Sequence, residues 1–160
     1  MARIRELNQD DVPRVAEILA QSQPWASAGD SVQDLEKLLL PSRGWGEQYV
    51  AESDGTPAGV VGFISEPVFA RGGCVLFLAV RDEMRRRGIG RQLMGFVERK
   101  IFTQSSNIYV SVSSCNRPAC CFFERLGYLK VGEIPDLLVP GTSEWILRKS
   151  TPKPRRGGSE

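Results

Sequence analysis

The chain contains no histidine. Without an imidazole there is no Ser-His or Cys-His catalytic pair and no histidine-ligated metal. Cysteine is sparse too. Cys74, Cys115, Cys120 and Cys121 form no C-x-x-C pair, which points to free buried thiols in a reducing cytoplasm rather than to a disulfide framework. No apolar run reaches the roughly 18–20 residues of a membrane span, and no leader peptide opens the sequence. The expectation is a cytoplasmic protein with no membrane partner. Neither sign of charge dominates. The formal net charge is +2, and its basic surplus sits in the last ten residues, "TPKPRRGGSE". Nucleic-acid binding would ask for a stronger basic bias.

What remains is the composition of an ordinary globular protein, with 160 residues, 41% hydrophobic and 25% charged. That length suits one domain, placed at 1–150, followed by a disordered basic tail at 151–160 with nothing apolar to bury.

"ARIREL" reads as a first strand. The helix after it has Asp10 as N-cap, Pro13 in its first turn, and Val12, Val15 and Leu19 on one face. A second helix runs from about Ser31 to Leu40, with Ser31 and Asp34 resembling a capping box and Pro41 ending it. The link "QPWASAGD" is flexible in composition yet holds Trp25, read first as a core plug and second as one wall of a pocket. "EQYVAES" and "AGVVGFISE" flank an Asp-Gly turn, the strongest short hairpin signal. "ARGG" makes another turn into "CVLFLAV", whose near-continuous apolar run suits a central strand covered on both faces.

The stretch "MRRRGIG" (84–90) follows. After it, Ile89, Leu93, Phe96, Val97 and Ile101 recur at helical spacing, so a helix begins at the glycines. Strand "NIYVSVSS", a short helix in "NRPACCFFERLG", and strands "YLKVGE" and "SEWILRK" complete the chain. A strand, a short loop and a helix N-terminus make an anion site. Free N–H groups and the positive end of the helix dipole face the ligand, and Gly88 and Gly90 let it approach the backbone. Arg85, Arg86, Arg87 and Arg91 can add charge-assisted contacts. Neither G-x-G-x-x-G nor G-K-[ST] is present, so this is neither a dinucleotide fingerprint nor a P-loop.

"LAVRDEMRRRGIGRQLM" resembles the acyl-CoA signature [Q/R]-x-x-G-x-[G/A] of the Gcn5-related N-acetyltransferase (GNAT) family, carried here by Arg85, Gly88 and Gly90. "NRPACCFFERLGY" resembles that family's second motif, with Asn116, Ala119, Phe122, Phe123, Glu124, Gly127 and Tyr128 on its positions. The resemblance implies a GNAT-like α/β domain. Its mixed, mostly antiparallel sheet would have six or seven strands, flanked by about four helices, with a splayed strand pair forming the CoA cleft. It also implies an acetyl-CoA-dependent N-acetyltransferase acting on a small-molecule or peptide amine, with no metal. The alternative is an acetyl-CoA sensor with weak or no catalysis.

By the same resemblance the pyrophosphate lies on Arg86, Arg87, Gly88, Ile89, Gly90 and Arg91. The pantetheine arm runs along Leu78, Ala79 and Val80, and a backbone N–H there polarises the thioester carbonyl. Asn116, Ala119 and Phe123 border the cofactor, with Asn116 equally suited to capping its own helix. Two departures stand out. Phe123 occupies the place where many members carry a tyrosine acid, and Ser111 the place of a glutamate base in the branch acetylating ribosomal-protein N-termini. Cys74 sits near the histone-modifying branch's glutamate. The chemistry still requires a base, because an amine of pKa about 8–10 is protonated at neutral pH. Glu144 and Asp136 are the candidates, each weighed against a plain solvated charge, with Glu66 behind them and a water relay as a further route. Tyr128 is expected to pack in the core, and Cys120 and Cys121 to act as small buried hydrophobes. Trp25 and Asp30 mark the acceptor side, whose acids hint at a cationic acceptor. A homodimer is left open.

Overall fold

The computed structural model describes residues 1–40, 46–69 and 71–151, the side chains of 66 and 67 excepted. Pro41, the side chain of Glu66 and the tail from 152 onward therefore lie outside the described residues. Thr151 donates its N–H to the Ser106 carbonyl at 3.0 Å, so the last strand's register extends to the start of the expected tail.

Seven strands form one sheet: β1 (Arg3–Glu6), β2 (Glu47–Ser53), β3 (Thr56–Val68), β4 (Gly72–Val80), β5 (Asn107–Ser113), β6 (Leu129–Pro135) and β7 (Ser143–Ser150). Their order is β1-β2-β3-β4-β5-β7-β6. Only β4 and β5 run parallel; the other neighbours are antiparallel. The helices are α1 (Val12–Ala20), α2 (Trp25–Ala28), α3 (Val32–Leu39), α4 (Ile89–Ile101) and α5 (Arg117–Arg125). The expected mixed α/β architecture is what forms, with α2 as a one-turn addition where a flexible link was expected.

Local chemistry sets the element ends. Asp54 and Gly55 both take positive φ, 51° and 76°, and join β2 to β3 with Ser53 opposite Thr56, as a two-residue hairpin requires. Ser31 caps α3 by accepting from the Asp34 N–H at 3.1 Å. The first helical segment differs from expectation. Asn8 rather than Asp10 is the cap, and it shares a reciprocal box with Asp11 over a 3-10 turn at Gln9–Asp11. Asn8 wins because Asp11, three residues on, can return a hydrogen bond to the cap's own N–H at 2.9 Å.

Two apolar clusters sandwich the sheet. One holds Leu93, Met94, Val97 and Ile101 of α4 with Cys120 and Phe123 of α5 against Val75, Ile108, Val110, Val112 and Leu147. The other holds Val15, Ala16, Ile18 and Leu19 of α1 with Leu35 and Leu39 of α3 against Val50, Val60, Phe77 and Ala79. Strand β4 serves both, as its apolar run predicts. The change of face is made by a bulge: Phe63 pairs with Val75 and Gly62 with Phe77, leaving Leu76 extra. Val75 therefore points into the first cluster and Phe77 into the second. Gly62 is required opposite the Phe77 ring, since a Cβ there would lie 2.3 Å from it.

Candidate active site

The same bulge opens the sheet. Strands β4 and β5 pair at Gly73↔Ile108, Cys74↔Tyr109 and Val75↔Val110, and the ladder ends there. Beyond it β4 continues to Val80 on β3, and β5 continues to Ser113 on β7. The edge of β4 from Leu76 to Val80 is thus left without a strand on its β5 side. The direction of each backbone group follows from one bond: the Arg81 N–H donates to the Ala58 carbonyl at 2.9 Å. Antiparallel alternation then turns Ala79 and Phe77 toward β3 and Leu78 and Val80 toward the gap. The Val80 carbonyl confirms that direction by accepting from Arg85 Nε at 3.2 Å. Of the three residues expected along the arm, Ala79 is corrected: its polar backbone groups belong to β3 and its side chain is buried.

At the end of β4, a 3-10 turn at Asp82–Met84 leads into the arginines. Arg85 is held against the loop itself, bonded to the Val80 carbonyl and ion-paired with Asp82 at 2.8 Å. Arg86 takes a left-handed φ of 60° and Gly88 one of 80°, and Gly88 is the N-cap of α4. A Cβ on Gly88 would meet nothing within 4 Å, so the space in front of the cap is open. The first backbone N–H after the turn to find a carbonyl is that of Gln92, which donates to Gly88 at 3.0 Å. Among the described residues, the N–H groups of Arg86, Arg87, Gly88, Ile89, Gly90 and Arg91 have no acceptor in the chain. Six consecutive donors at a helix start, beside the exposed Arg86, Arg87 and Arg91, form an anion cradle. Ile89 contributes only its N–H, because its side chain is buried in the first cluster.

On the far side of the gap, Asn116 caps α5 by accepting from the Ala119 N–H at 3.3 Å. The cap uses the amide oxygen and leaves its NH2 group to point elsewhere. Phe123 requires a correction. It is 5% exposed and packs edge-on to Phe122 and Tyr128, with ring centroids at 5.1 and 5.4 Å. It belongs to the core because it lies on the inner face of α5. The aromatic at the cradle is its neighbour Phe122, 3.3 Å from where a Gly90 Cβ would stand. Tyr128 is buried as expected, its hydroxyl donating to Glu98 at 3.2 Å. Burial pushes its phenol far above the ordinary range, with the Glu98 charge adding to the shift. Cys120 is buried, but Cys121 and Cys115 are exposed, contrary to the expectation of buried thiols. All four cysteines are free.

The carboxylates separate clearly. Asp136 is exposed and closes the β6–β7 loop by accepting from the Gly141 N–H at 2.7 Å. Glu144 is 2% exposed, and its Oε1 has no hydrogen-bond partner. Its expected reading as a solvated charge is therefore overturned. It pairs with Ser113 across β5–β7. Counting on from Val75↔Val110 sets that pair level with Leu78 and Ala79, at the open end of the gap. Trp145 and Leu147 pack with the α4 cluster, so Glu144 faces the opposite side of the sheet. Phe77 and Trp25 occupy that same side, in edge-to-face contact at 6.3 Å. Burial pushes the Glu144 carboxyl above the ordinary range, and the Ser113 side chain draws it part of the way back. Asp30 lies exposed past α2, its N–H bonded to the Trp25 carbonyl at 3.3 Å. Among the described residues no group of three metal-binding side chains occurs.

The model of the acetyltransferase (GNAT) family matches residues 4–128. The chain belongs to this family. The GNAT assignment makes it an acyltransferase, and the solved structures show the same fold at low identity. Ard1 from Thermoplasma volcanium superposes with a TM-score of 0.79 at 19% identity, over 95% of this chain and 99% of that one. The ribosomal-protein-S18-alanine N-acetyltransferase from Escherichia coli gives 0.75 at 16%, over 100% of both. An aminoglycoside 6'-N-acetyltransferase solved with coenzyme A gives 0.73 at 18%, over 95% and 99%. No curated protein sequence matches the chain. The GNAT neighbours differ in acceptor, so the shared fold leaves the acceptor to be read from this chain's own residues. No helix is long and apolar enough to cross a membrane.

Proposed function

We propose that this GNAT protein transfers an acetyl group from acetyl-CoA to a primary amine, with Glu144 as the base. The observation that carries the reading is the run of free N–H groups from Arg86 to Arg91 at the end of a strand edge left open by a bulge. One pyrophosphate satisfies donors that the chain itself leaves unmatched, and the open space at Gly88 admits it. Acetyl-CoA supplies the activated thioester. Leu78 and Val80 hold the pantetheine arm as an added strand would be held. A Leu78 or Val80 N–H directed into the gap stabilises charge developing on the carbonyl oxygen. Asn116, its oxygen engaged in the cap, offers its NH2 group to the arm.

An amine arriving as ammonium on the Trp25 side meets the ionised Glu144. Pairing offsets the cost of that buried charge, and proton transfer to Glu144 leaves the neutral nucleophile. A carboxyl raised by burial is a stronger base than a solvated one, which suits this step. Asp136 is committed to its loop and takes no part. Phe123 and Tyr128 are excluded as proton donors, the first by chemistry and the second by burial and its bond to Glu98. The second proton, lost by the nitrogen as the amide forms, passes through water to the departing thiolate, which leaves as the free thiol.

Release of free thiol from acetyl-CoA, assayed across a panel of small amines and peptide N-termini, tests the reading. Turnover on at least one cationic amine is expected. Tight acetyl-CoA binding with no turnover on any acceptor would replace it with a sensor function.

A further inference from the structure

Strand β6 is an outer strand of the sheet, and its exposed side chains are not those of a protected edge. Among the described residues, seven large hydrophobic side chains are exposed. Five of them, Leu129, Val131, Ile134, Leu137 and Leu138, lie within ten residues of chain, with Leu129 70% exposed. The opposite edge, β1, is short and carries Arg3, Arg5 and Glu6, the usual guard against edge-to-edge pairing.

The pairing of β6 with β7 fixes which way each residue faces. Lys130 and Glu133 stand opposite Leu147 and Trp145, on the α4 side of the sheet. They bond each other at 2.6 Å, and Lys130 Nζ lies 4.2 Å from the Trp145 ring centre. Leu129 and Ile134 stand opposite Arg148 and Glu144, on the other side. The register shift between Lys130 and Gly132 produces this arrangement by leaving Val131 as an extra residue.

We propose that two copies of this chain join along β6, antiparallel about a twofold axis between Val131 and Gly132, into one continuous sheet. In that register Lys130 faces the partner's Glu133 and Leu129 faces the partner's Ile134. Each pair matches in chemistry and in sheet face. Gly132 gives the partner's Val131 room beside the axis. A slip of one residue either way sets Leu129 against the partner's Glu133, or Lys130 against the partner's Ile134. The strand is therefore self-complementary in one register only, as an isologous interface demands. The dimer places each partner's strand beside the one that pairs with Glu144, without using any acetyl-CoA group, so it stands apart from the acetyl-transfer reading.

The full chain is examined by sedimentation equilibrium over a range of concentrations, with Lys130→Glu, with Glu133→Lys and with the double exchange. Both substituted residues are exposed, and far-ultraviolet dichroism checks the fold of each variant. The wild type is expected at twice the chain mass of 17.7 kDa. Each single variant, facing like charges at two places, is expected to self-associate about tenfold more weakly. The double exchange restores the dimer, and an equimolar mixture of the two single variants forms the heterodimer. A wild type that stays monomeric, single variants as tightly paired as the wild type, or an exchange that fails to restore pairing would each overturn the proposal.

Discussion

Glu144 is an expensive residue to keep: a carboxylate almost without exposure, with one oxygen lacking a partner. A buried unsatisfied polar group costs about 1–3 kcal/mol, and more when charged. Because its folded pKa is raised, the native state holds its proton to higher pH than the unfolded chain. Stability therefore falls as pH rises from the ordinary carboxylate range through the raised value, and stays lower above it. Glu144→Gln is accordingly expected to raise the melting temperature by about 2–4 °C at neutral pH, read by calorimetry. The same change should lower turnover about a hundredfold and remove the acid limb of its pH profile. A variant that loses activity and stability together would make Glu144 a structural residue. At this scale the sequence was informative about the backbone and about Tyr128 in the core, but not about which of two similar residues is covered. Gly88 and Asn116 could be placed at helix starts by motif because capping is local. Phe123 could not be told from Phe122, nor Glu144 from Asp136. Which of two neighbours is covered depends on elements distant in the chain.

The elements themselves are set by local signals, and the clearest is where β1 hands over to α1. Asn8 and Asp11 cap each other, while Arg5 reaches Asp11 with two nitrogens at 2.6 and 2.9 Å and Glu52 with a third. One guanidinium thus ties the first strand to the helix start through the buried Asp11 and to β2 through Glu52. The Arg5 hydrogen bond holds the Asp11 carboxyl below its ordinary range, against the opposing effect of burial. Its stabilisation is complete above the unfolded-state pKa and is lost as pH falls through the lowered folded value. Asp11→Ala is expected to cost about 2–4 kcal/mol in urea unfolding at pH 7, with a smaller difference from the wild type in acid. An equal cost at all pH values would remove the ion pair from the account. Hairpin, helix periods and the Ser31 cap were legible because each is decided within a few residues. The Leu76 bulge was implied only by the family resemblance, which expects a splayed strand pair, since its place exists only in the pairing of β4 with β3. It nevertheless decides the site by turning Val75 and Phe77 to opposite faces and ending the β4–β5 ladder.

The whole molecule is a sheet sandwiched between two helical layers, opened at one parallel junction, with the anion cradle at the end of the open edge. In the proposed reading that architecture joins the cradle at Arg86–Arg91, the turned-out groups of Leu78 and Val80, and the buried Glu144 into one acetyl-transfer site. Isothermal calorimetry of acetyl-CoA binding to the wild type and to Gly88→Glu tests this arrangement most directly. The added side chain has open space, so the fold should survive at the roughly 1 kcal/mol cost of a left-handed non-glycine residue. Its carboxylate, however, would stand in the cradle proposed for the pyrophosphate. Saturable binding to the wild type and at least a hundredfold weaker binding to the folded variant are expected. Equal affinity in the two proteins would show that the cofactor is held elsewhere.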